Sequence, residues 1–235
     1  MKLSRRTTSA GMLSVAAVAA AVAVAGCGSS GAPSSALRSE SMKTFRQAVE
    51  AKTAPTTASA VEADAAVAST EGNVQRVDLE IRTTEKLKGE EQPRYVPVGA
   101  TAASLKSWTG NIVVKKGETV ILTIVNTDNG KVPLEPGYRR FDEVQGGTET
   151  VDGRPITSAP NSDIAHTFTD MGLGINAPIP SAPENGTDTI VLTFKPTQTG
   201  KFPWQCYDPC GSGSEGWGAA MDTHGWMQGT ITVIS

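Results

Sequence analysis

The stretch that most narrows the choice of fold is "NIVVKKGETVILTIV", residues 111–125. Ile112–Val114 reads as one short strand and Lys-Gly-Glu as a turn. In Val120–Val125, Val120, Leu122 and Ile124 alternate with Ile121, Thr123 and Val125, so both faces of this second strand are apolar enough to need cover. The pattern recurs along the chain. "VDLEI" (77–81) alternates with period two, and "TDTIVLTFKPTQTGKF" places Ile190, Leu192 and Phe194 on one face before a Pro/Gly turn. "GTITVIS" closes the chain with Ile231 and Val233 together. Short strands divided by Gly and Pro, with few helical patterns, predict an all-β sandwich or small barrel. One stretch departs from this texture. Residues 129–163 carry repeated Gly and Pro without periodicity, which predicts a long functional connection covering one edge of a site.

The N-terminal part has a different character. Lys2, Arg5 and Arg6 precede an apolar run from Val15 to Ala25 that is too short to span a bilayer, so residues 1–26 read as an export signal. Val24-Ala25-Gly26-Cys27 resembles the bacterial lipobox, in which the cysteine takes a diacylglyceryl group and becomes the new N-terminus. Ser4-Arg5-Arg6 faintly suggests a twin-arginine signal, and the export route stays open. The resemblance implies a protein lipid-anchored at Cys27 on the extracytoplasmic face of a bacterial cell membrane. Residues 27–72 are rich in Ala, Ser and Thr and predict a flexible stalk, with one short helix where Met42, Phe45 and Val49 share a face. Residues 73–235 are long enough for one globular domain. A net charge of −3 with no basic stripe argues against nucleic acid as a partner.

The chain holds two histidines and three cysteines. With Cys27 assigned to lipid, the remaining set is His166, Cys206, Cys210 and His224, joined by Met227. Cys206 closes the strand pattern "GKFPWQC" and Met227 opens "MQGTITV". The ligand-rich segment is therefore a loop between adjacent strands, with His166 of "DIAHTFTD" able to reach the same end. Thiolate, imidazole and thioether suit copper, particularly Cu(I); Ca²⁺ and Mg²⁺ want oxygen, and structural zinc favours spaced Cys or His pairs. The competing reading is a small-loop Cys206–Cys210 disulfide in an oxidising compartment. Met221 reads as a packing residue. Trp204, Tyr207, Trp217 and Trp226 read as a shield around the site, and Asp208, Glu215 and Asp222 as modest negative charge for a basic partner.

"KKGETVILTIVNTD", "AHTFTD", "TFKPTQTGKFPWQC" and "HGWMQGTITV" together resemble a cupredoxin domain, in that family's order, over most of residues 111–235. The resemblance implies a Greek-key β-sandwich. Cys206-x3-Cys210 followed by His224-x2-Met227 further resembles the dinuclear CuA site of cytochrome c oxidase subunit II and nitrous-oxide reductase. That likeness implies Cys206 and Cys210 as bridges, His166 and Met227 on one copper, and His224 with the Asp208 carbonyl on the other. The departure is the spacing: thirteen residues, "GSGSEGWGAAMDT", separate Cys210 from His224 where the family has three. A Gly/Ser-rich insertion is expected to loop out at small entropic cost. A mononuclear type 1 site built from His166, one cysteine, His224 and Met227 competes with the dinuclear one, so one or two copper ions are expected.

The expected function is electron transfer, with a redox partner protein or respiratory complex at the membrane. Nothing resembles a catalytic acid–base pair, so an independent enzyme is not expected. An accessory, electron-donating part of a respiratory oxidoreductase fits. The alternatives are a copper-handling lipoprotein serving oxidase assembly and a copper-free, disulfide-containing β-domain.

Overall fold

The computed structural model describes residues 65–235. The export signal, Cys27 and the helix expected around Met42, Phe45 and Val49 lie outside the described residues. In chain order the strands are β1 (Ala65–Val67), β2 (Ser69–Glu71), β3 (Val74–Leu87), β4 (Glu90–Pro97), β5 (Asn111–Lys115), β6 (Thr119–Asn126), β7 (Gly147–Val151), β8 (Arg154–Ile156), β9 (Ile164–Asp170), β10 (Ile175–Pro180), β11 (Asp188–Phe194), β12 (Gly200–Gln205) and β13 (Gln228–Ile234). They form two sheets, ordered β1-β5-β13-β12-β9-β10 and β2-β3-β6-β11-β7-β8, with β4 also paired to β3. The expected all-β sandwich is what the chain adopts. Among the described residues no helix is long and apolar enough to cross a membrane.

The alternation read in the sequence becomes the core. Leu79, Ile81, Leu122, Ile124, Ile190 and Leu192 of one sheet belong to the same buried cluster as Phe168, Ile179, Trp204 and Ile231 of the other. Burying each such side chain contributes about 1.5–3 kcal/mol. Tyr95 meets Trp204 edge-on at 5.3 Å, and Trp204 stacks on Phe168 at 4.9 Å. The Trp204 indole N–H donates to the Gly110 carbonyl (2.9 Å), so its one polar atom is satisfied inside the core.

Two features differ from the sequence reading. β1 and β2 fall within the segment assigned to the stalk, and they join β5 and β3 respectively. Residues 129–163 are not strand-free, because they contain β7 and β8. β7 escapes detection because Glu149, a carboxylate, occupies its buried position opposite Leu192.

Candidate metal centre

β12 pairs with both β13 and β9. The end of β12, the start of β13 and the body of β9 therefore meet, and the loop 206–227 closes over that meeting point. Cys206 is fully buried, and its backbone N–H donates to the Met227 carbonyl (2.9 Å), tying the two ends of the loop together. Thr167, beside His166 on β9, fastens the start of the loop two ways and ties it to Tyr95 of β4. Its N–H donates to Cys206 Sγ (3.3 Å), its hydroxyl accepts from the Tyr207 N–H (2.8 Å), and its carbonyl accepts from the Tyr95 hydroxyl (3.1 Å).

His166, Cys206 and Cys210 come together, with their candidate ligand atoms all within 4.8 Å of one another. Both cysteines are free thiols, with their sulfurs 3.6 Å apart. His166 is fully buried; its Nε2 is 3.0 Å from Asp128 Oδ2, while Nδ1 is buried without a hydrogen-bond partner. A carboxylate on Nε2 orients the ring and leaves Nδ1 for a ligand role.

The charges follow from these contacts. Burial alone would push the Cys206 thiol up. The contact with Cys210, the neighbouring His166 and the Thr167 amide outweigh burial and hold it well below the usual thiol value. Burial likewise opposes charge on His166, but Asp128 and Cys206 hold the imidazole up at about 9. Burial, the hydrogen bond to Cys206 and its charge push Cys210 well above the usual range. The metal-free cluster thus favours charge on Cys206 and His166 and opposes it on Cys210. An ion entering it displaces protons.

Asp208 is fully buried, and its carbonyl lies at the site, 3.4 Å from Cys206 Sγ, where it accepts the Cys210 N–H (2.8 Å). Its carboxyl is pushed up to about 8 by burial and by the Cys206 charge, and neither oxygen has a partner. The side chain therefore adds no surface charge, contrary to the docking role expected of it; Glu215 and Asp222 are exposed. Met227 is buried, and its contact with Cys206 is through its backbone carbonyl. His224 is exposed and joins no group of three candidate ligands among the described residues.

The insertion does not loop out. Two short 3₁₀ turns, Ser214–Gly216 and Ala219–Asp222, fold it back onto the cysteines. Ser212 donates its N–H to Gln92 Oε1 (2.9 Å) and its hydroxyl to Glu90 Oε2 (2.8 Å), and Trp217 Nε1 donates to Glu135 Oε1 (2.9 Å). A Cβ on Gly211 would collide with the Gly218 carbonyl, so only glycine allows this close return. The fold brings Met221 Sδ to 3.3 Å from Cys210 Sγ.

The expected cover from residues 129–163 is present. Phe141 stacks on Tyr207 at 4.4 Å, and Tyr138 sits 5.4 Å from Tyr207 and 5.3 Å from Trp217. Sequence reasoning missed Asp128, whose "NTDNG" context reads only as a turn, and Arg94. The Arg94 guanidinium donates to the Gly225 (2.8 Å), Leu105 (3.0 Å) and Trp108 (3.4 Å) carbonyls and lies over the Trp226 ring at 4.7 Å.

Neither protein-family models nor curated proteins yield a match to this chain. Solved structures do. It is similar to rusticyanin from Thiobacillus ferrooxidans at 16% identity and a TM-score of 0.38, covering 81% of this chain and 93% of the other. It is similar to reduced rusticyanin at 15% identity and a TM-score of 0.37, covering 80% and 95%. A copper-binding protein solved in its apo form matches at 14% identity and a TM-score of 0.33, covering 73% and 99%. These likenesses are distant, and the chemistry of the site rests on this chain's own side chains.

Proposed function

We propose that this chain is a copper-binding electron-transfer protein, held by a lipid on Cys27 at the extracytoplasmic face of a bacterial membrane, where it serves a redox partner or respiratory complex. The observation that carries the copper assignment is the buried His166/Cys206/Cys210 cluster, with its ligand atoms within 4.8 Å of one another. The donor set fits the ion. Two sulfurs and an imidazole match copper's preference, and with Asp128 on Nε2 of His166 it is Nδ1 that remains to bind an ion once its proton leaves.

Bound copper would supply a one-electron couple. The chain's residues set its surroundings. Asp128 fixes the imidazole, and the Thr167 N–H holds Cys206 Sγ. The Tyr138/Phe141/Tyr207 stack excludes water on one side. A site held this firmly changes charge with little rearrangement, which suits electron transfer. With His224 outside the cluster neither expected ligand set is complete, and the three donors gathered here suffice for one copper.

The test is copper stoichiometry and EPR on the full chain, loaded under reducing conditions and then oxidised. One copper per chain, with hyperfine from a single nucleus and slow loss to a chelator, is the expected outcome. Two coppers sharing the unpaired electron would restore the dinuclear site. Rapid loss to the chelator would assign the protein to copper handling, and no bound copper would leave the disulfide reading.

A further inference from the structure

We infer that Met221, supplied by the insertion 211–223, is the thioether ligand of this site. The inference rests on the copper reading above. It sets aside the packing role expected for Met221 and the ligand roles expected for His224 and Met227.

The argument begins with what holds the residue in place. Met221 is 1% exposed, with its sulfur 3.3 Å from Cys210 Sγ, and Cys210 Sγ is in turn 3.6 Å from Cys206 Sγ. The three sulfurs form a chain that reaches the His166 cluster. The Met221 backbone is fastened on both sides: its N–H donates to the Gly218 carbonyl (3.2 Å), and its carbonyl accepts from Gln228 Nε2 (2.7 Å). Neighbouring Ala220 accepts the Met227 N–H (3.2 Å), so the turn is stitched to the start of β13.

A Cβ at Gly211 would also lie 3.0 Å from Met221 Cγ, so that glycine makes room for this side chain. In the metal-free chain the Cys210 thiol donates to the Met221 sulfur, so the thioether lone pairs already point at the cluster, and thioethers are soft donors that select Cu(I). His224, by contrast, is exposed. The set assigned to the ion is therefore His166, Cys206, Cys210 and Met221.

The test uses the full chain labelled with selenomethionine, loaded with Cu(I) and read by copper X-ray absorption, in wild type and in Met221→Leu, Met227→Leu and His224→Ala variants. The expected result is copper–selenium scattering that survives Met227→Leu and disappears in Met221→Leu. Competition with a Cu(I) chelator is expected to show at least tenfold weaker binding for Met221→Leu and less than twofold change for His224→Ala. Copper–selenium scattering that persists in Met221→Leu, or undiminished affinity there, overturns the assignment while leaving copper binding intact. Failure of the wild type to bind copper overturns the copper reading and the ligand assignment with it. A Met221→Gln variant, checked for an unchanged melting temperature without metal, separates loss of the ligand from misfolding. Unrestored affinity in that folded variant supports the thioether, and full affinity in it overturns the need for sulfur.

Discussion

Glu149 offers a test of the fold that does not depend on any metal. It lies on β7 opposite Leu192, it is 2% exposed, and neither carboxylate oxygen has a hydrogen-bond partner. Burial pushes its carboxyl from 4.5 up to about 8. Below pH 4.5 both folded and unfolded chains hold this proton. Between 4.5 and 8 the unfolded chain releases it while the folded chain keeps it, so stability falls as pH rises through that window and levels off above it. Each pH unit inside the window costs up to about 1.4 kcal/mol, so by pH 7 the penalty reaches about 3 kcal/mol. Glu149→Gln removes the titration while keeping the shape. Urea unfolding of the full chain at pH 4.5, 6, 7 and 8 should show the variant gaining on wild type as pH rises, by about 3 kcal/mol at pH 7 relative to pH 4.5. Taking the difference cancels the other carboxylates. A variant whose stability tracks wild type in parallel across this range would refute the claim that Glu149 is buried and unpaired.

Two further perturbations probe the site's supports. Asp128→Asn removes the carboxylate that orients His166 from 3.0 Å and should weaken copper binding about 10- to 100-fold, read by chelator competition with the melting temperature as control. Arg94→Met strips the Gly225, Leu105 and Trp108 carbonyls of their charged donor and should cost about 2–3 kcal/mol in a denaturant titration, with the loop 206–227 gaining protease sensitivity.

Much of the sandwich was legible because its strands obey simple alternation. β5, β11 and β13 bury alternate residues, as does β6 as far as Ile124, and each has β-branched side chains among its buried positions. The strands that escaped notice break that rule for physical reasons. β4 (EEQPRYVP) and β10 (INAPIP) each contain two prolines, which ordinarily argue against a strand. Both lie at sheet margins, where a missing N–H donor is tolerated.

The site was legible in its residue types and only partly in its partners. Cys206, Cys210 and His166 met because two strand ends and a neighbouring strand converge, which the order of strand patterns already implied. Asp128 reaches His166 from 38 positions away, a pairing that only the folded chain defines. The resemblance implied ligand roles for His224 and Met227, and a tight turn lies between them. Gly225 adopts φ +81, its N–H donates to the Gln228 carbonyl (2.9 Å), and its carbonyl is held by Arg94. Met227 continues inward toward β13 while His224 faces solvent. The Gly/Ser-rich composition of residues 211–223 was expected to let them loop out. Their glycines instead let the chain turn back sharply enough to bring a buried methionine against Cys210. On the ligand set proposed above, a loop that lengthens exchanges one donor for another, provided the added residues include both the glycines that reverse the chain and a soft side chain where the reversal ends.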